Sequence, residues 1–528
     1  MLAVAGRRAW AWPMLAGLLL GLSFPHNPDS PLAPLFGPAW AWVALVPLLA
    51  AVAGADWRTA FRRGWVAGVL FALVSLYWVA GTQGGGLAVA GGTLLLAGYL
   101  GLYTGAFAAG LARAVDCWGV IGVLAAPILW TALEYVLSLG ELGFPWLLLG
   151  HSQAAWPALV QYAEYTGAYG VSFWVVLLNA LAFLAVGPLT FPDRLSGCRR
   201  LSGRSRLVAA AAAVLALALP WNWGSALMAR PSSAAAPLRV GLVQNNLGLE
   251  KWQPGGYERS FASLEELSRS AVARGAEMVV WPETAVPCQL ARRASCGDRV
   301  RALAAALEVP VLTGAPDTDP RTGDPYNAAF LVRPGSPELP GYAKMHLVPF
   351  GERTPFRDRI PFLRRINWAA LTGDLGPAEF APGTWRTLFD SGRGRFAVLI
   401  CFESVFPDLV RRSVAPGADF LVNITNDSWF GDTAGPYQHA QLAVLRAVEN
   451  RVAIARCATS GVSLFIDPLG RTTQATGLYQ VAAPVGEVEL RQRETLYTRH
   501  GDLFAQIVLA LALGLTGWTW RRTPAPHD

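Results

Sequence analysis

Long apolar segments limit how this chain can fold more than any other feature of its sequence. A membrane-spanning helix needs about 20 mainly apolar residues to cross roughly 30 Å of hydrocarbon. Eight segments meet or approach that length, at residues 9–24, 36–54, 64–81, 86–112, 118–139, 166–188, 206–222 and 503–520. The whole chain is 53% hydrophobic and only 15% charged, which is unusual for a soluble protein. The sequence therefore predicts a membrane protein with eight transmembrane helices.

Basic residues are restricted to alternate loops between these segments. Arginines lie near residues 7–8, 58–63, 113, 194–206 and 521–522, whereas loops 25–35, 82–85 and 140–165 contain no Lys or Arg. Because basic loops stay in the cytoplasm, both termini are predicted there and residues 224–500 outside. The net charge of +7 is thus an orientation signal rather than a sign of nucleic-acid binding.

The region between the seventh and eighth apolar segments has an ordinary globular composition. We expect membrane helices 1–7 in residues 1–228, a linker in 229–236, an outer domain in 237–490, and the last membrane helix with a cytoplasmic tail in 491–528. Within the outer domain, short β-rich runs such as 238–244, 277–283 and 395–403 alternate with helical patterns such as 257–274 and 434–450. This alternation predicts an α/β or α+β domain with layered sheets.

Residues 354–372, "TPFRDRIPFLRRINWAALT", interrupt that alternation. The segment mixes aromatic and aliphatic residues with four arginines, a combination typical of segments that rest at a lipid interface. The alternative is a surface loop whose aromatic side chains fold back onto the domain.

Several classes of active site have little support in the sequence. The six histidines show no metal-binding spacing, and the chain has no GxSxG elbow and no Walker loop. The six cysteines form no CxxC pair; Cys288 and Cys296 lie eight residues apart in a predicted outer loop, where a local disulfide is plausible. Cys401 and Cys457 remain as candidate free thiols, and we predict no metal site.

Cys401 lies at the end of the apolar run "AVLICFESVF". A cysteine at a strand end is most often a core residue, and attack on an acyl carbon requires a base and an oxyanion donor close to the thiol. Glu283 in "VVWPE" and Lys344 in "YAKMHLVPFGE" could supply them. The order and context of the three residues resemble the nitrilase, or carbon-nitrogen hydrolase, superfamily. The resemblance implies a four-layer α-β-β-α sandwich over residues 237–490, inserted between membrane helices 7 and 8.

The predicted membrane helices narrow the resemblance from the superfamily to one of its families. With the strings "HLVPFGE" (346–352), "TNDSWFG" (425–431) and "GPYQHAQLAVLRAVENR" (435–451), the chain resembles the bacterial apolipoprotein N-acyltransferase family. Phe402 departs from the tyrosine common after the cysteine in that family. The resemblance implies a multi-pass protein of the bacterial inner membrane with a periplasmic catalytic domain. We further expect a monomer without a cofactor.

The implied reaction is a ping-pong acyl transfer. A phospholipid donates an acyl chain to Cys401 as a thioester, and the α-amino group of the diacylglyceryl-modified N-terminal cysteine of an apolipoprotein then accepts it. Glu283 would act as general base, while Lys344 would stabilise the oxyanion with the backbone N–H of Phe402.

Other residues are assigned supporting roles. Glu352 would hold Lys344, and Glu403 would either hydrogen-bond across the site or cap the helix that begins at Ser404. The acyl chain would be lined by Trp252, Phe350, Trp429 and the 354–372 segment, although each aromatic could be ordinary core. Tyr326 and Asn327, which precede a strand, are further candidates, and Glu134 in the fifth apolar segment is either structural or a headgroup contact.

Two other functions fit parts of the sequence. A membrane-tethered nitrilase-type amidase would use the same three residues on a small C–N substrate, but eight membrane helices are more than tethering needs. A transporter or channel would place several charged residues deep in the membrane, and the apolar segments contain few.

Overall fold

The computed structural model describes residues 2–190, 201–230, 236–365 and 379–522. The chain divides into two units. The first comprises Met1–Gly81, Leu87–Arg230 and His500–Asp528, and the second comprises Thr82–Gly86 and Pro231–Arg499.

The first unit is helical. Its helices are α1 (Leu2–Leu22), α2 (Val46–Val52), α3 (Trp57–Ala80), α4 (Gly86–Trp118), α5 (Ala126–Leu137), α6 (Ala163–Thr190), α7 (Gly203–Met228) and a C-terminal helix, Leu503–Arg521. Among the described residues, five helical spans are long and apolar enough to cross a membrane, or six if one bent pair counts as a span. The membrane character predicted from the sequence is therefore supported, while the count of eight stays a prediction.

The predicted span 36–54 is a broken helix. Ala33–Trp42 and Val46–Val52 form two helical pieces that meet at an angle of 55°. Asn179 of α6 fills the break: its Oδ1 accepts the Leu45 N–H at 2.8 Å, and its Nδ2 donates to the Ala41 carbonyl at 2.7 Å. Because apolar surroundings offer no water to these backbone groups, the buried amide allows the helix to bend there.

Glu134 of α5 has a similar role. One of its carboxylate oxygens accepts hydrogen bonds from Trp130 Nε1 and from the Leu149 N–H, both at 2.7 Å. The side chain is 6% exposed. These contacts tie α5 to the chain that follows it, which favours the structural interpretation of Glu134 over a headgroup contact.

The second unit contains two six-stranded sheets. The strands are β1 (Leu238–Leu242), β2 (Met278–Val280), β3 (Val311–Thr318), β4 (Pro325–Val332), β5 (Gly341–Ala343), β6 (Leu388–Asp390), β7 (Arg395–Ile400), β8 (Phe420–Thr425), β9 (Ala453–Ala458), β10 (Leu464–Ile466), β11 (Thr472–Thr473) and β12 (Val485–Val488). The first sheet has the order β12-β1-β2-β3-β4-β5 and the second β11-β10-β9-β8-β7-β6. In each sheet three central strands are parallel, namely β1-β2-β3 and β7-β8-β9.

Helices cover the outer face of each sheet. They are α8 (Gly256–Ala273), α9 (Ala294–Leu307), α10 (Pro407–Val414) and α11 (Gly435–Asn450). The short α12 (Leu496–His500) contacts α10 and α11, through Arg411 and Asn450. Alternation along β2 shows the layering: Met278 and Val280 enter the core between the two sheets, whereas Val279 packs with residues of α8 and α9. The α-β-β-α order of layers implied by the resemblance is therefore observed.

The described cysteines of this unit have separate environments. Cys288 and Cys296 form a disulfide beside and within α9. Cys457 is buried in the core between the sheets, with its sulfur 3.3 Å from the Val280 carbonyl oxygen. Cys457 is thus a core residue, and Cys401 is the half-buried free thiol of this unit. Cys198 lies outside the described residues.

We expect Asn179→Ala to destabilise the protein by about 1–3 kcal/mol, because it leaves the Leu45 N–H and the Ala41 carbonyl buried without partners. Thermal inactivation in detergent measures the effect. Asn222→Ala on α7 is the matched control, since the hydrogen bond from the Asn222 amide to the Ala218 carbonyl is exposed. Equal stability of the two variants would contradict this account of the break.

Candidate active site

Four strands of the second unit end just before a cluster of polar side chains. Glu283 follows β2 by three residues, Lys344 directly follows β5, Cys401 directly follows β7, and Asn426 directly follows β8. Strand ends are rigid mounts, and the carboxyl ends of parallel strands are common binding sites in α/β proteins.

Glu283 is buried and fully hydrogen-bonded. Its Oε1 accepts a hydrogen bond from Asn327 Nδ2 at 2.7 Å and lies 3.6 Å from Lys344 Nζ. Its Oε2 accepts the backbone N–H of Asn426 at 2.7 Å. These donors hold the carboxylate in one orientation, which a general base requires.

Lys344 lies between two carboxylates. Its Nζ is 2.8 Å from both oxygens of Glu352, and Glu283 is the second carboxylate. Burial of Lys344 disfavours its charged form, but Glu352 and Glu283 outweigh that effect and raise the pKa of the ammonium. Lys344 is therefore a permanent positive charge at any physiological pH.

Asn327 joins the two acidic residues. Its Nδ2 donates to Glu283 Oε1 at 2.7 Å and to Glu352 Oε1 at 3.1 Å. Glu352 also accepts the Val348 N–H at 2.8 Å. Neighbouring residues of a strand point to opposite faces, so Tyr326 faces away from this cluster and lies near acidic residues of the β3–β4 hairpin.

Cys401 begins a 3₁₀ turn, Cys401–Val405, although the sequence pattern predicted a strand through residue 403. Its φ of +52° lies in the left-handed region that non-glycine residues rarely adopt. Burial and the charge of Glu283 raise the pKa of the Cys401 thiol, and Lys344 offsets this only in part. The resting group is consequently a thiol, and attack by its sulfur requires a base.

Glu403 faces four donors. One oxygen accepts from the Tyr342 hydroxyl at 2.7 Å and from the backbone N–H groups of Met345 and His346 at 2.7 and 3.2 Å. The other accepts the Ile400 N–H at 2.7 Å. The carboxylate therefore both caps the turn of Cys401 and ties that turn to the Tyr342 hydroxyl and to the backbone that follows Lys344.

A second buried network lies behind Cys401, and the sequence patterns did not single out its members. His439 Nε2 is 3.2 Å from the Cys401 carbonyl oxygen, and His439 Nδ1 is 2.9 Å from Asp427 Oδ1. Arg456 donates to Asp427 at 2.8 Å. Arg456 and His439 outweigh the effect of burial and lower the pKa of Asp427 to about 2. Asp427 and His439 do occur in the sequence strings that carried the family resemblance, and that resemblance was the signal that could have identified them.

The aromatic residues that were predicted to contact the substrate differ in their burial. Trp252 and Phe350 are 53% and 48% exposed, and Trp429 is half-buried. Phe402 is buried, with its ring 5.0 Å from that of Phe406 and 6.0 Å from that of His346. Phe402 thus belongs to an aromatic cluster with Phe406 and His346.

No group of three or more His, Cys, Asp or Glu side chains within the described ranges could hold a metal ion. The chemistry of the cluster is that of a thiol, two carboxylates and an ammonium. Such a set can transfer an acyl group through a thioester.

The sequence was compared with known proteins. Residues 16–181 match the profile described as apolipoprotein N-acyltransferase N-terminal domain, and residues 239–488 match carbon-nitrogen hydrolase. A protein of Geobacter metallireducens named apolipoprotein N-acyltransferase is 36% identical over 99% of this chain and 97% of its own length. One of the same name from Chlorobaculum tepidum is 35% identical over 95% of this chain and 94% of its own length. The similarity thus covers both units.

We expect Glu403→Gln to misplace Cys401, because an amide NH₂ or one weaker acceptor would replace a carboxylate that satisfies four donors. The rate at which a haloacetamide alkylates Cys401, resolved by peptide mass spectrometry, should fall roughly tenfold, in line with a loss of about 1–2 kcal/mol. Glu338→Gln, which alters an exposed surface ion pair with Arg333, is the control. An unchanged rate in Glu403→Gln would show that Glu403 does not position the thiol.

Proposed function

The chain belongs to the apolipoprotein N-acyltransferase family, and we propose that its Cys401 carries an acyl chain from a phospholipid to the α-amino group of the diacylglyceryl-modified N-terminal cysteine of an apolipoprotein. The observation that carries this proposal is the hydrogen-bonded cluster of Glu283, Lys344, Glu352 and Asn327 beside Cys401. The family match over residues 16–181 favours acyl transfer over a tethered amidase, which would need only an anchor.

In the first half-reaction, Glu283 takes the proton of the Cys401 thiol as the sulfur attacks the ester carbonyl carbon of the phospholipid. The carbonyl oxygen becomes an oxyanion, which Lys344 and the backbone N–H of Phe402 stabilise; one such donor is typically worth ~3 kcal/mol. The C–O bond then breaks. The departing alkoxide of the lysophospholipid takes the proton from Glu283, and the acyl group remains on sulfur as a thioester.

In the second half-reaction, the neutral α-amino group of the apolipoprotein attacks the thioester carbonyl carbon. Glu283 accepts a proton from that nitrogen, and the same donors stabilise the second oxyanion. The C–S bond breaks, the amide forms, and the thiolate recovers its proton from Glu283. The reaction consumes no cofactor, because an amide is more stable than a thioester.

Burial explains why the base and the oxyanion donor must both be present. The raised pKa of the Cys401 thiol means that a thiolate is not formed in advance. Lys344 keeps its charge and stands next to Glu283, so the positive charge is in place when negative charge reaches the substrate oxygen. Glu352 and Asn327 would fix the positions of Lys344 and Glu283.

Apolar walls would receive the acyl chain and keep water from the thioester. We assign this role to Trp252, Phe350 and Trp429, and a role at the lipid interface to the 354–372 segment. Phe362, in the described part of that segment, is 62% exposed. Residues 366–372 lie outside the described residues.

The arginine pattern supports a specific topology. We propose eight membrane helices in the bacterial inner membrane, both termini in the cytoplasm and the nitrilase-like domain on the periplasmic side. Residues 1–228 would contain helices 1–7, residues 229–236 the linker, residues 237–490 the catalytic domain, and residues 491–528 helix 8 with the tail. The disulfide between Cys288 and Cys296 fits an oxidising compartment. We propose that the protein acts as a monomer.

Incubation of the purified protein with phospholipid alone should increase its intact mass by one acyl group. Neutral hydroxylamine should release that group, because it cleaves thioesters, and the Cys401→Ala variant should not form the adduct. Cys457→Ala is the matched control, since its thiol is buried in the core between the sheets. Turnover of a small amide without any acyl adduct would instead support the tethered amidase.

Lys344→Met should fail to accumulate the thioester, with at least a hundredfold slower acylation from the loss of an oxyanion donor worth ~3 kcal/mol. The variant also leaves Glu283 and Glu352 buried without their cation, so its folding must be checked by thermal unfolding. Normal accumulation of the adduct in a folded variant would remove Lys344 from the oxyanion role.

A further inference from the structure

Lysine is nearly absent from this chain. Of its 43 basic residues, only Lys251 and Lys344 are lysines, and the others are arginines. Both lysines are buried, with 2% and 1% of their surface exposed. All remaining basic positions are arginine. The compact ammonium of lysine thus occurs at two positions, both buried, and one of them is the cation of the catalytic cluster.

Lys251 has no hydrogen-bonding partner for its Nζ among the described residues. It lies in the 3₁₀ turn Leu249–Trp252, which packs closely against its neighbours. A Cβ placed on Gly256 would come within 2.1 Å of the Glu250 carbonyl oxygen, and one on Gly248 would come within 2.9 Å of Ser428. The turn is therefore held both against the start of α8 and against the loop that supplies the Asn426 N–H to Glu283.

The negative charges that act on the Lys251 ammonium are those of Glu283 and Glu250. Glu250 is exposed, so solvent screens its charge, whereas Glu283 is 5% exposed. Both Glu283 oxygens already have donors, from Asn327 and from Asn426. Lys251 thus acts on Glu283 through space rather than by a hydrogen bond.

Charge balance indicates what this interaction does. Glu283 and Glu352 carry two negative charges against the single positive charge of Lys344. The buried Glu403 adds a third carboxylate that interacts with Lys344, so carboxylates outnumber cations in the cluster without Lys251. This excess of negative charge opposes an oxyanion, and a second buried ammonium reduces it.

We propose that Lys251 is a second cation of the active site, a positioning residue that offsets the negative charge of Glu283 and of the cluster during acyl transfer. This inference rests on the proposed role of Glu283 as general base. A buried ammonium without a hydrogen bond destabilises the fold, so its retention is explained by the reaction rather than by folding.

The pH dependence follows from the amine. Burial lowers the pKa of the Lys251 ammonium to about 8, against the attraction of Glu283 and Glu250. The charge of Lys251 is therefore present below about pH 8 and is lost above it. Glu283 acts electrostatically on Lys251, Lys344 and Cys401, and Lys344 stays charged throughout this range.

The test measures the rate of Cys401 acylation by phospholipid from pH 5.5 to 9 in wild type and in Lys251→Met. We expect acylation of the variant to be roughly tenfold slower below about pH 8, where wild-type Lys251 is charged. The two proteins should differ by less than about twofold above pH 8, where wild-type Lys251 is neutral. The Tm of the variant should equal or exceed that of wild type, because a buried unpaired charge is removed.

Glu338→Gln, which alters an exposed surface ion pair with Arg333, is the control and should leave the profile unchanged. Lys251→Arg restores a cation that does not titrate, so a folded Lys251→Arg variant should recover the wild-type rate below pH 8. An identical profile in Lys251→Met, or a uniform loss at every pH with a higher KM for phospholipid, would overturn the proposal, the latter indicating a phosphate contact instead. A lowered Tm with a parallel loss of rate would assign Lys251 a structural role. If wild type forms no adduct at all, the proposed function fails first and independently.

Discussion

The pairing of the Lys344 ammonium with two buried carboxylates is the interaction on which the site depends. Removal of an ion from water costs several kcal/mol, and the fold recovers this only with close opposite charges and complete hydrogen bonding. Glu352 contacts the ammonium with both oxygens, Glu283 lies 3.6 Å away, and Asn327 bridges the two carboxylates. Removal of one member leaves the others charged and uncompensated. The cluster therefore behaves as one unit.

The backbone around this cluster is arranged to hold it. Both carboxylate oxygens of Glu403 accept hydrogen bonds, from the turn of Cys401 and from residues beside Lys344. These bonds fix the position of the thiol relative to the ammonium. His439 contacts the Cys401 carbonyl from behind and is itself anchored by Asp427. These contacts stabilise the left-handed backbone conformation of Cys401, which would otherwise be unfavourable.

The apolar helices show the same dependence on buried polar side chains. Asn179 and Glu134 both lie in apolar helices, and the sequence left the role of Glu134 open. Their partners are backbone groups at places where a helix bends or ends, namely Leu45 and Ala41 for Asn179, and Leu149 for Glu134. In an environment without water, irregular backbone requires a side chain to satisfy it, and these residues do so.

Local patterns were sufficient to locate most of the helices and strands and the three principal site residues. The helix expected at 257–274 is observed at Gly256–Ala273, and Glu283, Lys344 and Cys401 all follow strands. These features could be predicted because periodicity and residue context depend on neighbouring residues in the chain. The pattern overran at β7, which ends at Ile400, because the Glu403 carboxylate that caps the turn acts together with residues about 60 positions away.

By itself, the sequence determined the apolar helices, the layered domain and the residue types available for acyl transfer, because these features depend on which residues are present and on their order along the chain. Only the tertiary structure decided that Asn327 joins Glu283 to Glu352, that Glu403 caps the turn of Cys401, and that Lys251 is buried without a hydrogen-bonding partner for its Nζ among the described residues. Those assignments depend on distances and charges between residues that are far apart in the chain. They exist only after two sheets have packed face to face.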